Sequence, residues 1–351
     1  MRVLVIGGTG LVGSAVVRAL PTRGHTVRVV TRHPPDSVPE QVGGVDYVRG
    51  DITVAGSLQG VADGCAAVVH LAGITSQRGR GSYQAVNIDG TRHVLGEAQR
   101  AGVPFIVYVS ALGAERGASA YHRSKRHAEM LVREYPGRWL VLRPGSVYGP
   151  GKGLLAFYLQ MVRMLPVTPG VGDIDQRFQP ISAVDLSEVL SRAVERRDLA
   201  GRTLEIAGVE TTSQRELHRQ LSALTDRRPR LVALPAWSVR FALRLLKAVR
   251  LDLPVGLDQL TMLQEGNVLL DSKRSAVRDV FGIEPLSLQE GLSRLVRSAP
   301  ETMRDGQHGR PPDRPAPAIE QEERAGPPPP LHIVRPEVDE SRRPRRIPRS
   351  S

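Results

Sequence analysis

The stretch that decides the fold is Gly7-Gly8-Thr9-Gly10-Leu11-Val12-Gly13, which follows the apolar run at residues 3–6 and opens a helical pattern. A glycine-rich turn between a strand and a helix is typical of sites that bind the pyrophosphate of a dinucleotide. Gly7 then makes the tight turn, Gly10 allows close approach of the backbone, and Gly13 allows close helix–strand packing. The amino end of the helix adds unpaired N–H groups and a positive dipole. The stretch therefore predicts a dinucleotide site at the start of the chain.

The sequence around this turn alternates short β-branched runs with longer helical patterns up to about residue 147, as parallel sheets of βαβ units do. Strands are predicted at residues 3–6, 27–31, 46–48, 67–71, 105–110 and 139–142, with one more at 202–206. Helices are predicted near residues 12–20, 55–61, 83–101, 119–134 and 184–196. Several strands are apolar without alternation, which indicates helices on both faces of the sheet. The predicted fold class is α/β, a Rossmann-type doubly wound parallel sheet.

Three regions are expected along the chain. Residues 1–150 form the dinucleotide-binding core, completed by the strand near 202–206, and residues 151–299 form a smaller, mostly helical and partly interleaved lobe. In that lobe Ser213 and Glu216 have the spacing of a capping box for a helix that continues to Leu224. Residues 300–351 are rich in proline and arginine with almost no aromatic residue, so we expect a disordered tail.

Composition narrows the class of protein. The longest apolar runs, such as residues 66–72, are too short to cross a bilayer, Cys65 is the only cysteine, and the first residues lack the layout of a signal peptide. A cytoplasmic protein is therefore expected. The net charge of +12 favours an anionic partner, which could be a phosphate-rich cofactor, a membrane surface or nucleic acid. Because no nucleic-acid-binding motif accompanies the charge, no nucleic acid is expected, and no metal site is predicted.

The end of the second strand bears on the choice of cofactor. Sites for NAD place a carboxylate there, whereas sites for NADP place an arginine on the 2′-phosphate. This chain has Arg32, a residue whose guanidinium can bind a phosphate through two hydrogen bonds. The nearest carboxylate, Asp36, is separated from the strand by two prolines. NADP(H) is therefore favoured over NAD(H), the alternative being that Arg32 is an ordinary surface arginine.

Seven motifs occur in an order and spacing that resemble the extended and atypical short-chain dehydrogenase/reductases, of the NAD-dependent epimerase/dehydratase type. They are residues 7–13, 50–52, 70–73, 86–91 and 109–111, Tyr121 with Lys125, and residues 142–144. Within that superfamily, residues 110–114, 143–151 and 177–180 are most similar to bacterial relatives of the NAD(P)-binding accessory subunit of respiratory complex I. This resemblance covers roughly residues 1–295.

The resemblance implies a set of cofactor-binding residues. Asp51 with Ile52 is expected near the adenine, residues 71–73 along the cofactor, and Asn87 in a supporting proton-relay position. The full predicted set is Gly7, Thr9, Gly10, Leu11, Val12, Gly13, Arg32, Asp51, Ile52, Leu71, Ala72, Gly73, Asn87, Lys125 and Pro144.

Tyr121 and Lys125 are the predicted catalytic pair, because a separation of four places both side chains on one face of a helix. Lowering a tyrosine pKa from ~10 to ~7 requires about 4 kcal/mol, and a lysine ~5 Å away supplies on the order of 3 kcal/mol at an effective dielectric of ~20. Tyr121 would then exchange a proton with a substrate while the nicotinamide carries hydride. Ser110 would orient the carbonyl, although many extended members place the active hydroxyl a residue or two further on. The alternative is that a Tyr-x-x-x-Lys spacing has arisen by chance in a basic helix.

Residues of the second lobe suggest contacts for a substrate and a basic surface that could bind a membrane or a partner. Ser146, Tyr148, Arg177 and Gln179 are the candidate substrate contacts, and the largely apolar stretch at 151–166 would suit a lipid-like or quinone-like small molecule. These residues equally suit the packing of the lobe. Residues 237–251 have a helical pattern with a basic stripe, which would allow peripheral association with a membrane or a respiratory complex, or ordinary packing with the stripe in solvent.

Three functions remain open from the sequence. The first is an NADP(H)-dependent oxidoreductase or epimerase acting on a small molecule. The second is a non-catalytic NADPH-holding structural or assembly protein associated with complex I or quinone metabolism, peripheral to the inner face of the membrane. The third is a redox-sensing regulator like the NmrA-type relatives. All three require the same glycine-rich turn, so the turn does not distinguish them.

Overall fold

The computed structural model describes residues 1–34, 43–77, 81–151, 153–241, 261–262, 265–269 and 275–298. Its strands are β1 (Arg2–Ile6), β2 (Thr26–Thr31), β3 (Val45–Arg49), β4 (Ala67–His70), β5 (Phe105–Val109), β6 (Arg138–Pro144), β7 (Ser146–Tyr148), β8 (Val167–Val171), β9 (Pro180–Ser182), β10 (Arg202–Ile206) and β11 (Arg230–Leu234). Its labelled helices are α1 (Leu11–Thr22), α2 (Gly90–Arg100), α3 (Ala120–Arg133), α4 (Leu154–Met164), α5 (Ala183–Ala193), α6 (Gln214–Thr225), α7 (Ala276–Asp279) and α8 (Leu288–Ser298).

Seven parallel strands form the central sheet, in the order β10-β6-β5-β4-β1-β2-β3. The strand order reverses between β1 and β4, and ligands of doubly wound sheets bind in the crevice at the carboxyl ends of the strands at this point. All seven predicted strands are present, with ends that shift by at most two residues. The predicted doubly wound α/β class is confirmed.

The sheet is covered on both faces, which explains why its strands lack an apolar–polar alternation. One core packs alternate residues of β1, such as Val3 and Val5, against α1 and α5. The other core packs Leu4 and Ile6 against α2 and α3. Because both faces are buried, the carboxyl ends of the strands are the exposed edge at which polar site residues can collect.

A smaller unit packs α4, α6 and α8 around a third core that includes Leu155, Leu217 and Leu292. Two short parallel strand pairs accompany it, β7 with β9 and β8 with β11, and the sequence patterns predicted neither pair. The predicted tail and residues 242–251 of the predicted basic helix lie outside the described residues, as does Asp36. In the described part of the chain, no helix has the length and apolarity needed to span a membrane.

Three local predictions need correction. The helix predicted at 55–61 is a single 3-10 turn, Ala55–Leu58, because Gly60 adopts a φ of 81° that interrupts the helix. The helix predicted at 83–101 begins as a π-helix, Gln84–Asp89, before α2. Ser213 caps α6 by accepting a hydrogen bond from the Glu216 N–H, but the Glu216 carboxylate binds Arg219 and Gln220, so only half of the capping box forms.

Candidate functional site

A cavity of about 360 Å³ lies at the carboxyl ends of β1, β4 and β5, beside the reversal of strand order. Its lining includes these predicted site residues: Gly7, Gly10, Leu11, Val12, Gly13, Leu71, Gly73, Ser110, Tyr121, Lys125, Pro144 and Ser146. The structure thus brings the glycine-rich turn and the three candidate catalytic side chains to one space, although they are far apart in sequence.

The turn itself has no room for larger residues. A Cβ on Gly13 would lie 2.1 Å from the Gly7 carbonyl oxygen, and a Cβ on Gly7 would lie 2.8 Å from the Ala72 nitrogen. Gly7 also has a φ of 91°, which side chains rarely adopt. Gly10 caps α1 without any side-chain hydrogen bond, so the amides of the first turn remain available to an anion. The residues present therefore fit the pyrophosphate of a dinucleotide.

Arg32 and Asp51 lie at the adjacent ends of β2 and β3, where the Gly50 N–H donates to the Thr31 carbonyl. Burial tends to raise the pKa of Asp51, but hydrogen bonds from the Thr53 N–H and hydroxyl, together with the Arg32 charge, lower it overall. Asp51 is thus an anion next to an exposed arginine. Ile52 is buried, and its side chain packs against Gly90 at the start of α2.

Asn87 is fully buried in the π-helix, and its side chain joins two segments by hydrogen bonds. Its Oδ1 accepts from the Ile74 N–H at 2.8 Å, and its Nδ2 donates to the Ile74 carbonyl and to the Ser124 hydroxyl. A Cβ on Gly73 would lie 3.2 Å from Asn87 Oδ1 and 3.6 Å from Lys125 Nζ. Asn87 therefore fixes the loop after β4 against α3, and its side chain is fully occupied in doing so.

Tyr121 and Lys125 are both buried on α3, and Ser119 caps that helix by accepting from the His122 N–H. Lys125 Nζ donates to the Val109 carbonyl at 2.7 Å and lies 4.4 Å from the centre of the Tyr108 ring. Burial lowers the pKa of Lys125 to about 7, partly opposed by the Glu129 carboxylate. Burial also raises the pKa of Tyr121 to about 12.

From the sequence, Lys125 was predicted to lower the Tyr121 pKa, whereas burial raises that pKa in the structure. Desolvation disfavours both charged forms, so it raises the pKa of Tyr121 and lowers that of Lys125. At neutral pH the tyrosine is a phenol, and the lysine holds its proton less firmly than an exposed lysine does. The form of Tyr121 that prevails at neutral pH is therefore the phenol, which can donate a proton.

Ser110 follows β5, is buried and belongs to the lining of the same cavity. Among the described residues its hydroxyl has no hydrogen-bond partner. An unpaired buried hydroxyl costs free energy, so a ligand oxygen in the cavity would satisfy it. This observation favours a ligand with a polar atom beside Tyr121.

Five further predicted site residues lie outside the lining of the cavity, in positions with other roles. The Tyr148 hydroxyl packs on Gly291 of α8, and burial raises its pKa above the usual range. Arg177 is exposed and donates to the Thr211 hydroxyl in a separate polar depression. Thr9 is exposed, Ala72 packs beneath the turn, and Gln179 is wholly buried.

Gln179 positions a segment that sequence patterns did not identify. Its side chain accepts from the Leu269 N–H and donates to the Gly208 carbonyl, while its backbone N–H donates to the Asn267 carbonyl. Asn267 thereby reaches the cavity, where its Oδ1 is buried without a hydrogen-bond partner among the described residues. Because this contact joins distant parts of the chain, no local motif marks it.

Glu265 anchors the chain just before Asn267. One of its carboxylate oxygens accepts from the backbone N–H groups of Ala118 and Ser119, and the other lies 2.7 Å from His122 Nδ1. Met262 also lines the cavity beside Tyr121. Met262 and Asn267 therefore form part of the wall over the candidate catalytic side chains.

Comparisons with known proteins found several relatives of this chain. The ceramide reductase of Caulobacter vibrioides is 29% identical over 237 residues, which cover 66% of this chain and 73% of the relative. The 2-alkyl-3-oxoalkanoate reductase of Stenotrophomonas maltophilia is 27% identical over 332 residues, which cover 85% and 99%. Three uncharacterized mycobacterial relatives are much longer, and the match spans 20% of their length.

The fold likewise matches solved structures. The UDP-glucose 4-epimerase of Thermus thermophilus in complex with NAD superposes with a TM-score of 0.64 at 22% identity, over 85% of this chain and 98% of the epimerase. At that identity the match establishes the fold alone. The model of the NAD dependent epimerase/dehydratase family matches residues 3–207, which is more than half of the chain. The chain therefore belongs to the NAD dependent epimerase/dehydratase family.

Proposed function

We propose that the protein is an NADP(H)-dependent oxidoreductase that interconverts a carbonyl and a hydroxyl group on an apolar small molecule. The observation that carries this proposal is the convergence of the glycine-rich turn, Ser110, Tyr121 and Lys125 on one cavity. When bound, the nicotinamide supplies or accepts a hydride. The turn at residues 7–13, Arg32, Asp51, Gly73 and Lys125 are the residues that would hold the cofactor.

The proposed roles follow from burial and charge. Tyr121, a buried phenol at neutral pH, donates its proton to the carbonyl oxygen during reduction. Ser110 donates a hydrogen bond to the same oxygen, which satisfies its unpaired hydroxyl. Lys125 carries or releases a proton near neutral pH beside Tyr121, which suits re-protonation of the phenolate.

The cavity also supports a substrate class. Its walls include Leu71, Val109, Ala111, Val147, Leu186 and Met262, with Ser110 and Asn267 as buried polar anchors. A mainly apolar wall with few polar groups favours a substrate with an alkyl or ring body over a sugar nucleotide. The names of the two reductase relatives describe substrates of this kind, a ceramide and a 2-alkyl-3-oxoalkanoate.

A turnover assay tests the proposal. The purified chain is incubated with NADPH and, separately, a 2-alkyl-3-oxoalkanoate, a keto-ceramide, a steroid ketone and UDP-glucose. We expect NADPH to be oxidised with at least one lipid-like ketone and not with the sugar nucleotide. Absence of oxidation with every ketone, in protein shown by calorimetry to bind NADPH, would contradict the proposed activity.

The preference for NADP(H) is tested at Arg32. A charge-assisted hydrogen bond contributes about 1.5–3 kcal/mol, so Arg32→Ala should weaken NADPH binding by roughly 10- to 100-fold. NADH lacks the 2′-phosphate, so its affinity should be almost unchanged. Arg18→Ala removes an equally exposed arginine from α1 and serves as the matched control. Equal losses for both nucleotides would assign Arg32 a role other than recognition of the 2′-phosphate.

A second candidate is the non-catalytic protein that holds NADPH for structural or assembly purposes, as the likeness to complex I relatives suggests. The observation that favours it is the arrangement of Lys125, which donates to the Val109 carbonyl while burial raises the Tyr121 pKa to about 12. This candidate predicts that the nucleotide co-purifies with the chain and stays reduced with every ketone of the panel.

A further inference from the structure

The parallel pair β8–β11 has one face that is buried along β8 and one face that is turned to solvent. The register pairs Val167 with Arg230, Pro169 with Val232 and Val171 with Leu234, and paired residues of parallel strands project to the same side. On the opposite face Thr168 and Gly170 of β8 are buried, whereas their β11 partners Leu231 and Ala233 are half-buried and exposed. The face that carries Val167 is therefore turned to solvent, and five of its six side chains are apolar.

The exposure of these apolar groups is high. Val167 is 43% exposed, Val232 41% and Leu234 36%, and Met164 and Leu165, which lead into β8, are 58% and 43% exposed. Folded proteins rarely leave contiguous apolar surface of this kind in water unless it binds something.

Two aromatic residues follow the same strand. Helical residues 236–241 begin two residues after Leu234 and place Trp237 and Phe241 four positions apart, on one helix face. Trp237 is 73% exposed and Phe241 66%. We call the exposed side chains of residues 164–171 and 230–241 the docking face.

The charge around the docking face indicates the chemistry of its partner. Residues 160–175 and 226–241, which contain and flank the docking face, include five arginines and three acidic residues, Asp173, Asp175 and Asp226. Arg227, Arg228 and Arg230 are exposed, and Arg230 belongs to the apolar sheet face itself. A second copy of the chain would present the same positive charge, so self-association through this face is disfavoured and an anionic surface is favoured.

We propose that the docking face binds peripherally to an anionic lipid bilayer. Trp237 and Phe241 would enter the boundary between head groups and acyl chains, where aromatic side chains are enriched in membrane proteins. The exposed side chains of Arg227, Arg228 and Arg230 would bind lipid phosphates, as basic residues near anionic leaflets do. The proposal does not depend on the oxidoreductase activity, since it rests on a surface and not on the cavity.

Sedimentation with vesicles tests this inference. The full chain is mixed with vesicles of phosphatidylcholine alone and with vesicles that also contain phosphatidylglycerol. We expect binding to the anionic vesicles only, weakened by salt. Trp237→Ser/Phe241→Ser and Arg227→Glu/Arg228→Glu/Arg230→Glu should each lower the partition coefficient by about tenfold or more. Val54→Ser/Met130→Ser, which removes two apolar residues with 55% and 51% exposure elsewhere, is the matched control.

Three results would overturn the proposal. The first is no binding to anionic vesicles by the folded parent chain. The second is unchanged binding by both variants, which would assign vesicle binding to another basic segment, such as the arginines at 342–349. The third is concentration-dependent dimerisation in analytical ultracentrifugation that Trp237→Ser/Phe241→Ser abolishes, which would make the face a contact between two copies. Circular dichroism confirms in each case that the variants are folded.

Discussion

The Tyr121→Phe variant is expected to turn over a carbonyl substrate roughly 10²- to 10⁴-fold more slowly than the parent chain, while its affinity for NADPH stays the same. The substitution removes only the phenolic hydroxyl, and the ring keeps its place between Tyr83 and His122. Without that hydroxyl, the oxygen of the substrate receives its proton from water, which the buried position of Tyr121 largely excludes.

The matched control is Tyr83→Phe. The Tyr83 ring lies 6.0 Å from the Tyr121 ring, and its hydroxyl donates to the Thr75 carbonyl. This variant loses a hydroxyl in the same apolar cluster, so it reports any general effect of polarity or packing. Turnover in Tyr83→Phe should stay within a few-fold of the parent. Equal losses in both variants, or no loss in Tyr121→Phe, would remove Tyr121 from the proposed chemistry.

The Lys125→Met variant is expected to be more stable than the parent chain at neutral and acidic pH, because the parent buries an ammonium group there. The pKa of Lys125 falls from 10.5 to about 7 on folding. Below pH 7, folding therefore carries the full free-energy cost of burying the charged ammonium group. That pKa shift corresponds to a cost of roughly 3–5 kcal/mol in the free energy of folding. The measured gain in stability should be smaller, because the variant also loses the hydrogen bond to the Val109 carbonyl.

The sign of the pH dependence follows from linkage. Between about pH 7 and pH 10.5 the unfolded chain binds more protons at Lys125 than the folded chain, so the stability of the parent rises with pH. Methionine does not titrate. The difference in free energy of unfolding between Lys125→Met and the parent should therefore shrink by roughly 2–3 kcal/mol between about pH 6 and pH 9. Urea unfolding of both proteins at several pH values measures it. If the free energies of unfolding of the two proteins changed with pH in parallel, the pKa of Lys125 would not be lowered on folding.

Some residues of the candidate site could be predicted from local sequence patterns, and others could not. The glycine-rich turn and the Tyr121/Lys125 spacing are readable because each depends on neighbours in sequence, and the structure places them around one cavity. Asn267 and Glu265 were not predicted, since their positions depend on hydrogen bonds with Gln179, Ser119 and His122, which are distant in sequence. Gln179 was predicted as a substrate contact, but it is wholly buried, and its hydrogen bonds to Leu269 and Gly208 make it a positioning residue for the cavity wall.

The sequence by itself determined the seven-stranded parallel sheet and the position of its dinucleotide turn, because strand periodicity and glycine conformations are local properties. Only the tertiary structure decided the directions in which the pKa values of Tyr121 and Lys125 shift, since each pKa depends on how completely water is excluded by residues from distant parts of the chain. It also decided which apolar residues of β8 and β11 remain in solvent, because burial is a property of what packs on each face and not of the strand itself.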